Sequence, residues 1–140
     1  MKIPEKVRKN LRVALNRLNL AQRRFKLGDK AIDLAIVLES LLGGNETNEV
    51  THKVTTRAAR LLGGPNEERL YNRDIVNATY GYRSKMVHSG AQPEGTKQIA
   101  GNAMQASEIL SAAVNVCVAV IKRIIRLPDI PDWKTFDIGA

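Results

Sequence analysis

Several residue types are scarce in this sequence, and each shortage narrows what the chain can be. It has one cysteine, Cys117, so a disulfide within the chain is excluded. Its two histidines, His52 and His88, are far apart and do not make a zinc site with that cysteine. Aromatic residues make up only 4% of the chain, and no aromatic platform for stacking nucleic-acid bases is apparent.

Long apolar runs and phosphate-binding loops are also missing. The apolar run at residues 112–121 is interrupted by Asn115 and is too short to cross a membrane. The Gly43–Gly44 and Gly63–Gly64 pairs lack the lysine and hydroxyl pattern of a P-loop. The arginine-rich N-terminus resembles a transit peptide, but it lacks serine and carries an apolar stripe that the core needs. We therefore expect a cytoplasmic protein without a membrane span, in which Cys117 is a buried, reduced thiol.

Acidic residues are scarce at the start of the chain, and this locates the excess charge. The net charge is +8. Residues 1–30 hold ten lysines or arginines against Glu5 and Asp29, whereas residues 31–140 hold twelve of each sign. The surplus therefore lies on the first predicted helix, where it would attract an anionic partner such as RNA, DNA or a membrane surface. The alternative is a solvated basic face that only keeps the protein soluble.

The length and the apolar pattern predict one helical domain. The chain has 140 residues, of which 44% are hydrophobic, and its apolar set of Leu, Ile, Val and Ala suits packed helices. We predict an all-α, up-and-down bundle of four to five helices over residues 1–127, followed by a C-terminal tail at 128–140. The helices are predicted at residues 4–25, 29–42, 48–62, 65–89 and 96–127, with glycine or Pro128 ending each of them.

Helical spacing indicates which side chains face the core. In the first helix the stripe contains Val7, Leu11, Ala14, Leu18, Ala21 and Phe25. In the fifth helix it contains Ile99, Ala103, Ala106, Leu110, Ala113, Cys117, Val120 and Ile124. Gly28 is predicted to end the first helix, Asp29 to cap the second, and the loop at 88–95 to be exposed and mobile. The tail is expected to dock through Trp133 and Phe136.

Two charged residues are predicted to point into the core. Glu39 lies on an apolar stripe of the second helix, where an unpaired carboxylate would cost several kcal/mol. Arg57 lies on the apolar face of the third helix, and its planar guanidinium can bond a carboxylate twice. We therefore predict a Glu39–Arg57 pair, either as a core ion pair that fixes helix register or with a direct catalytic role. Asp33 shares a face with Lys30 and Ser40 and is predicted at the wetter edge.

The end of the fourth helix carries Arg83, which is always charged, and His88, which can carry a proton near neutral pH. Arg83 is predicted to leave the core at its margin. A line of small and polar residues follows a neighbouring face, which would let a second copy of the helix or an extended substrate strand approach closely. This line consists of Asn77, Gly81, Ser84 and His88.

Three segments resemble the HEPN superfamily, specifically its Apea-like branch. Residues 33–42, DLAIVLESLL, are similar to a family segment with an acidic residue within "ALE-LL". Residues 56–62, TRAARLL, have an arginine before "A-x-LL", and residues 82–89, YRSKMVHS, are similar to "Y-x-x-RS-x-x-VHG". The resemblance covers roughly residues 30–90.

The match to the last segment has two departures. Ser89 stands where glycine usually follows the histidine, with Gly90 one place later, and Tyr80 rather than Tyr82 lies three residues before the arginine. The resemblance implies a helical bundle that commonly dimerises and brings two Arg-x4–6-His motifs into one cleft. Many such proteins are metal-independent ribonucleases of toxin–antitoxin or antiviral defence systems. Others have lost catalysis and bind RNA, nucleotides or partner proteins.

On this basis we predict a homodimeric HEPN-type endoribonuclease that cleaves single-stranded RNA by 2′-hydroxyl attack without a metal or other cofactor. The catalytic residues are Arg83 and His88, and the supporting residues are Glu39, Arg57, Ser84 and Tyr80. The alternative is a catalytically inactive HEPN-like dimer that binds RNA or protein. Possible partners besides RNA are an antitoxin or a nucleotidyltransferase, of which this chain would be the companion subunit.

Helix geometry constrains how the two catalytic residues can cooperate. Positions five apart in an ideal helix are rotated by about 140°. Cooperation within one chain therefore needs an irregular helix end, and cooperation across a two-fold axis needs Arg83 of one subunit beside His88 of the other. Symmetry favours the second arrangement, because an isologous contact presents Gly81 and Ser84 to their own copies.

Overall fold

Six helices and one β-hairpin make up residues 3–44, 49–128 and 131–139, which this computed structural model describes. The all-α fold class is confirmed, with the addition of a two-stranded sheet that the pattern did not predict. The helices are α1 (Glu5–Arg23), α2 (Leu27–Leu42), α3 (Val50–Leu62), α4 (Asn66–Ser89), α5 (Ala106–Arg126) and α6 (Trp133–Ile138). The strands, between α4 and α5, are β1 (Thr96–Ile99) and β2 (Asn102–Gln105).

Helix α2 is the centre of the bundle. It contacts α1, α3, α4 and α5, and Leu34, Leu38 and Leu42 on it have no exposed surface. Burying each such leucine contributes roughly 1.5–3 kcal/mol. On the facing α5, Cys117 is buried as predicted, and burial raises the pKa of its thiol to about 12. None of the helices in the described ranges has the length and apolarity that crossing a membrane requires.

Helix α1 follows its predicted stripe except at its end. Val7, Leu11, Ala14, Leu18 and Ala21 are buried, which confirms the stripe. Phe25, in contrast, is fully exposed. The prediction fails there because α1 ends at Arg23 and the chain turns before the phenylalanine can reach the core.

Gly28 and Asp29 both belong to α2, so neither the predicted helix end nor the predicted cap is correct. Gly28 is buried, and a Cβ atom added there would lie 2.5 Å from Met86 Sδ and 2.9 Å from Gln92 Oε1. Its N–H donates to Gln92 Oε1 at 2.9 Å. Because glycine has no side chain, the start of α2 can pack closely against the end of α4. Asp29 lies in the first turn of α2, where a negative charge complements the helix dipole.

Helices α3 and α4 agree closely with their predicted extents. The predicted start of α3 at Asn48 lies outside the described residues. Helix α4 follows Pro65 and ends at Gly90, whose φ of 69° is in the left-handed region that glycine tolerates. The loop after it is exposed as predicted, except that Pro93 is buried.

The predicted helix at 96–127 is wrong over its first ten residues. Thr96 to Ile99 pair antiparallel with Asn102 to Gln105, and Ala100 and Gly101 have φ values of 49° and 84° at the turn. Two left-handed residues are the requirement of a two-residue type I′ hairpin turn. Ile99 is buried as predicted, but Ala103 is exposed because strand alternation replaces helical rotation. The other predicted core residues of α5 are buried: Ala106, Leu110, Ala113, Cys117, Val120 and Ile124.

Asp33 is not at a wetter edge, as the pattern predicted, but is 1% exposed. Arg24 Nε donates to its Oδ2 at 2.8 Å, and Arg17 Nη1 donates to its Oδ1 at 3.3 Å. The hydrogen bond to Asp33, with its charge, raises the pKa of Arg24. The prediction fails because two arginines from α1 and the turn after it cover the carboxylate and satisfy it.

Candidate functional site

The last two turns of α4 present Arg83 and His88 to solvent. Arg83 is half-buried at the core margin, as predicted, whereas Ser84 and His88 are exposed and Val87 is 61% exposed. Helix α4 is continuous from Asn66 to Ser89. The irregular helix end that cooperation within one chain would need is therefore absent, and Arg83 and His88 point about 140° apart. Relative to Arg83, Val87 is rotated by about 40° and Ser84 by about 100°, so both lie between the two candidate catalytic residues.

Behind Arg83, the structure brings together two of the predicted supporting residues. Tyr80 is 3% exposed, and its hydroxyl lies 3.4 Å from the carbonyl oxygen of Ala35. Burial raises the pKa of Tyr80, with a further increase from the charge of Glu39 and the hydrogen bond to it; the charge of Arg83 opposes these effects. The phenol of Tyr80 therefore stays protonated, under the opposing effects of the charges of Glu39 on α2 and Arg83 on α4.

The predicted Glu39–Arg57 pair is not formed. Arg57 is fully buried, but its Nε and Nη2 donate to the two carboxylate oxygens of Asp137 at 2.9 and 2.8 Å. Its Nη1 donates to the carbonyl oxygen of Leu42 at 2.6 Å. The inward direction of Arg57 is correct, and so is the bidentate carboxylate, but the carboxylate comes from α6. Arg57 thus ties α3 to the end of α2 and to the C-terminal helix.

The tail docks through the two predicted aromatic residues. The guanidinium of Arg57 lies 4.7 Å from the centre of the Trp133 ring, and that of Arg60 lies 5.0 Å from the Phe136 ring. The two rings meet edge to face at 5.3 Å. Asp137 was missed by the sequence reasoning. Its spacing of four from Trp133, which puts a carboxylate and an aromatic ring on one helix face, was the available signal.

Acid is expected to release α6 from the bundle. The hydrogen bond from Arg57 lowers the pKa of Asp137. A carboxyl whose folded-state pKa is below its unfolded value of about 4 contributes stability above that pH, and loses it as the pH falls through the folded pKa. Trp133 is the only tryptophan, so its fluorescence should change below about pH 4 while the far-UV circular dichroism of the bundle persists.

Substitution distinguishes this release from general acid unfolding. Asp137→Asn should show the released emission at neutral pH and no acid step. Asp132→Asn is the matched control, because Asp132 is an exposed aspartate of the same segment whose carboxylate accepts only from Lys134 N and Thr135 Oγ1 among the described residues. An unchanged acid step in Asp137→Asn would contradict the assignment.

Contrary to what its spacing predicted, the small-residue line on α4 is not open to a second helix or a substrate strand along its whole length. Asn77 and Ser84 are exposed, but Lys97 Nζ from β1 would lie 2.9 Å from a Cβ atom added to Gly81. The same ammonium lies 4.3 Å from the centre of the Tyr82 ring. The glycine therefore accommodates the hairpin of its own chain, and an isologous contact cannot be centred on Gly81. Burial and the charge of Lys85 lower the pKa of Lys97.

The basic surplus lies on an exposed surface, as its position predicted. Helix α1 packs on α2 and α5, and its outward face carries Lys6, Arg8, Lys9, Arg12 and Arg23. Phe25, two residues after the end of α1, is also exposed. The arrangement places a positive charge on the exposed surface of α1.

Within residues 3–44, 49–128 and 131–139, no group of three or more His, Cys, Asp or Glu side chains is placed to hold a metal ion. In comparisons with known proteins, no family model, no curated protein and no solved structure matches this chain.

Proposed function

We propose that this protein is a metal-independent endoribonuclease of HEPN type that acts as a homodimer on single-stranded RNA. The observation that supports the proposal best is the strip on the last two turns of α4. Arg83 and His88 are its two edges, and the exposed Val87 and Ser84 lie between them. A role in a toxin–antitoxin or defence system is part of this proposal, with an antitoxin or a nucleotidyltransferase as the protein partner.

The strip is self-complementary under two-fold symmetry. If a second copy of α4 packs antiparallel across it, Arg83 of one subunit lies opposite His88 of the other, and Ser84 lies opposite Val87. Burying Val87, which is 61% exposed in the single chain, provides apolar contact at the centre. The same packing overcomes the divergence of about 140° that separates the two residues within one helix. The dimer would hold two equivalent sites.

Each proposed site has groups that can catalyse cleavage of RNA by its own 2′-hydroxyl. The 2′-hydroxyl oxygen attacks the adjacent phosphorus, the bond from phosphorus to the 5′ oxygen breaks, and a 2′,3′-cyclic phosphate and a 5′-hydroxyl result. Either His88 accepts the 2′-hydroxyl proton and water protonates the leaving 5′ oxygen, or His88 protonates that oxygen and water takes the 2′-hydroxyl proton. Arg83 holds the phosphate and neutralises the charge that grows on it. Tyr80 and Glu39 support Arg83 from the core side, whereas Arg57 has its role at α6.

The alternative function is an RNA-binding module without catalysis. The exposed basic face of α1 favours it, because this face attracts a polyanion irrespective of the α4 site. Binding of this kind should survive His88→Ala and weaken steeply with salt. A nuclease should lose cleavage on the same substitution while retaining its affinity.

The proposed function is tested by incubating the purified protein with single-stranded RNA in EDTA. We expect fragments that end in a 2′,3′-cyclic phosphate, and no cleavage of DNA of the same sequence, because only RNA supplies the attacking 2′-hydroxyl. The matched substrate is an RNA with 2′-deoxy substitution throughout one half, which should be cut only in the other half. Intact RNA after prolonged incubation, or equal cleavage of both halves, would contradict the proposal.

A further inference from the structure

An open groove lies along the first half of α4, remote from Arg83 and His88. It is bounded by α4, α5 and the end of α3 and has a volume of about 470 Å³. This is within the range of roughly 300–1,000 Å³ that is usual for small-molecule sites. The α5 wall includes two small residues, Ala112 and Ala119, whose short side chains leave space between the helices. Asn72 on its rim is sixteen positions before His88, or about 24 Å along the helix.

One end of the groove suits a planar group with hydrogen-bonding edges. Tyr71 is 36% exposed, and it lines the groove together with Asn72 and Asn115. A tyrosine ring can stack on a nucleobase. An asparagine amide both donates and accepts, which is what the edge of a base requires.

The other end of the groove suits an anion. Lys122, Arg123 and Arg126 line it, and only Arg123 donates to a backbone group, the carbonyl oxygen of Leu62 at 3.4 Å. Lys122 and Arg126 are exposed and form no ion pair with any residue of the described ranges. Guanidinium and ammonium groups placed together are the usual partners of phosphate.

The charge balance and the spacing agree with a ligand that is planar at one end and anionic at the other. The acidic residue in the lining is Glu68, whose carboxylate lies against Gly64 at the α3–α4 turn. The three cations therefore dominate their end of the groove. Asn115 and Lys122 are seven positions apart on α5, which is about 10 Å. This separation lets a single compact ligand reach both ends.

We infer that this groove binds a nucleoside phosphate, with the base at Tyr71, Asn72 and Asn115 and the phosphate at Lys122 and Arg126. The ligand is either a free nucleotide or the phosphate-bearing terminal unit of an RNA strand. The inference goes beyond the proposed nuclease and does not depend on it, because none of these residues belongs to the α4 strip.

Calorimetry with AMP, adenosine and ribose 5-phosphate tests the groove. We expect saturable binding of AMP with a Kd below about 1 mM. Adenosine and ribose 5-phosphate should each bind about tenfold more weakly or worse, because each loses the contacts of one end. A 5′-phosphorylated RNA pentamer added to the AMP complex distinguishes the two kinds of ligand. If the pentamer displaces AMP and binds more tightly than AMP, the ligand is the end of an RNA strand. If the pentamer binds more weakly than AMP, the ligand is a free nucleotide.

Paired substitutions locate the binding. Lys122→Gln with Arg126→Gln should weaken AMP about tenfold or more, whereas Lys9→Gln with Arg12→Gln, the same charge change on α1, should leave it within about twofold. His88→Ala should not alter AMP binding, so failure of the nuclease proposal and failure of this one remain distinguishable. Absence of saturable AMP binding up to several mM, or an equal loss in the α1 control, would overturn the inference.

Discussion

Arg83→Ala protein and His88→Ala protein are each expected to cleave RNA at about 1% of the wild-type rate or less, whereas an equimolar mixture of the two should recover about one quarter of the wild-type rate. Each single substitution should lower the rate by about 10²–10⁴-fold, because it removes the proposed proton-transfer group or phosphate ligand from both sites of the proposed dimer. After subunit exchange about half of the dimers are mixed, and in each mixed dimer one of the two sites keeps an intact arginine and histidine.

The mixture distinguishes a shared site from one built within a chain. As a control, Arg83→Ala protein mixed with the Arg83→Ala/His88→Ala double variant contains no intact pair and should stay inactive. His52→Ala controls for the loss of a histidine as such, since His52 is exposed near the start of α3. Single-turnover cleavage of a labelled RNA gives the rates. Dimers that exchange subunits without any recovery would rule out the shared site.

Arg57→Ala is expected to cause the largest loss of stability of any single substitution considered. Arg57 has no exposed surface, and truncating a fully buried long side chain typically costs about 2–5 kcal/mol. The substitution also removes the two bonds to Asp137, the bond to the Leu42 carbonyl and the stacking on Trp133. Thermal unfolding should show a Tm lowered by roughly 8–20 °C, given about 4 °C per kcal/mol in a domain of this size.

Arg60→Ala is the matched control for this prediction. Arg60 is one turn further along α3, stacks on Phe136 and donates to the carbonyl oxygen of Asp137 at 3.2 Å. Because that contact is exposed, its loss should cost less than about 1 kcal/mol. Equal effects of the two substitutions would show that burial of Arg57 does not determine the docking of α6. In Arg57→Ala, the emission of Trp133 should also shift toward that of an exposed indole.

The bundle was predictable because its signals are local. The stripe from Val7 to Ala21 and the left-handed stop at Gly90 depend on residues within a few turns of one another. The exposure of His88 and the marginal position of Arg83 follow from the same periodicity. The helix predicted over residues 96–105 was wrong because Ile99 and Ala106 fit a helical stripe as well as they fit the hairpin. Ala100 occupies a left-handed turn position, where alanine is only a weak signal of a hairpin.

Contacts between segments that are distant in the sequence could not be predicted from the spacing of residues. Arg57 and Asp137 are 80 positions apart, so spacing could show that the arginine needed a carboxylate but not which one would reach it. In the same way, Lys97 was assigned to a helix and could not be placed over Gly81. Asp33 appeared to lie at a polar edge because its two arginines come from α1 and the turn after it.

Gly28 shows how a position without a side chain can govern chemistry elsewhere. A methyl group there would displace Met86 and the amide of Gln92, and the candidate imidazole is only two residues beyond that methionine. Since a misplacement of about 1 Å can cost about 10²-fold in rate, evolution could tune or silence the proposed enzyme through the second residue of α2 without touching a catalytic group.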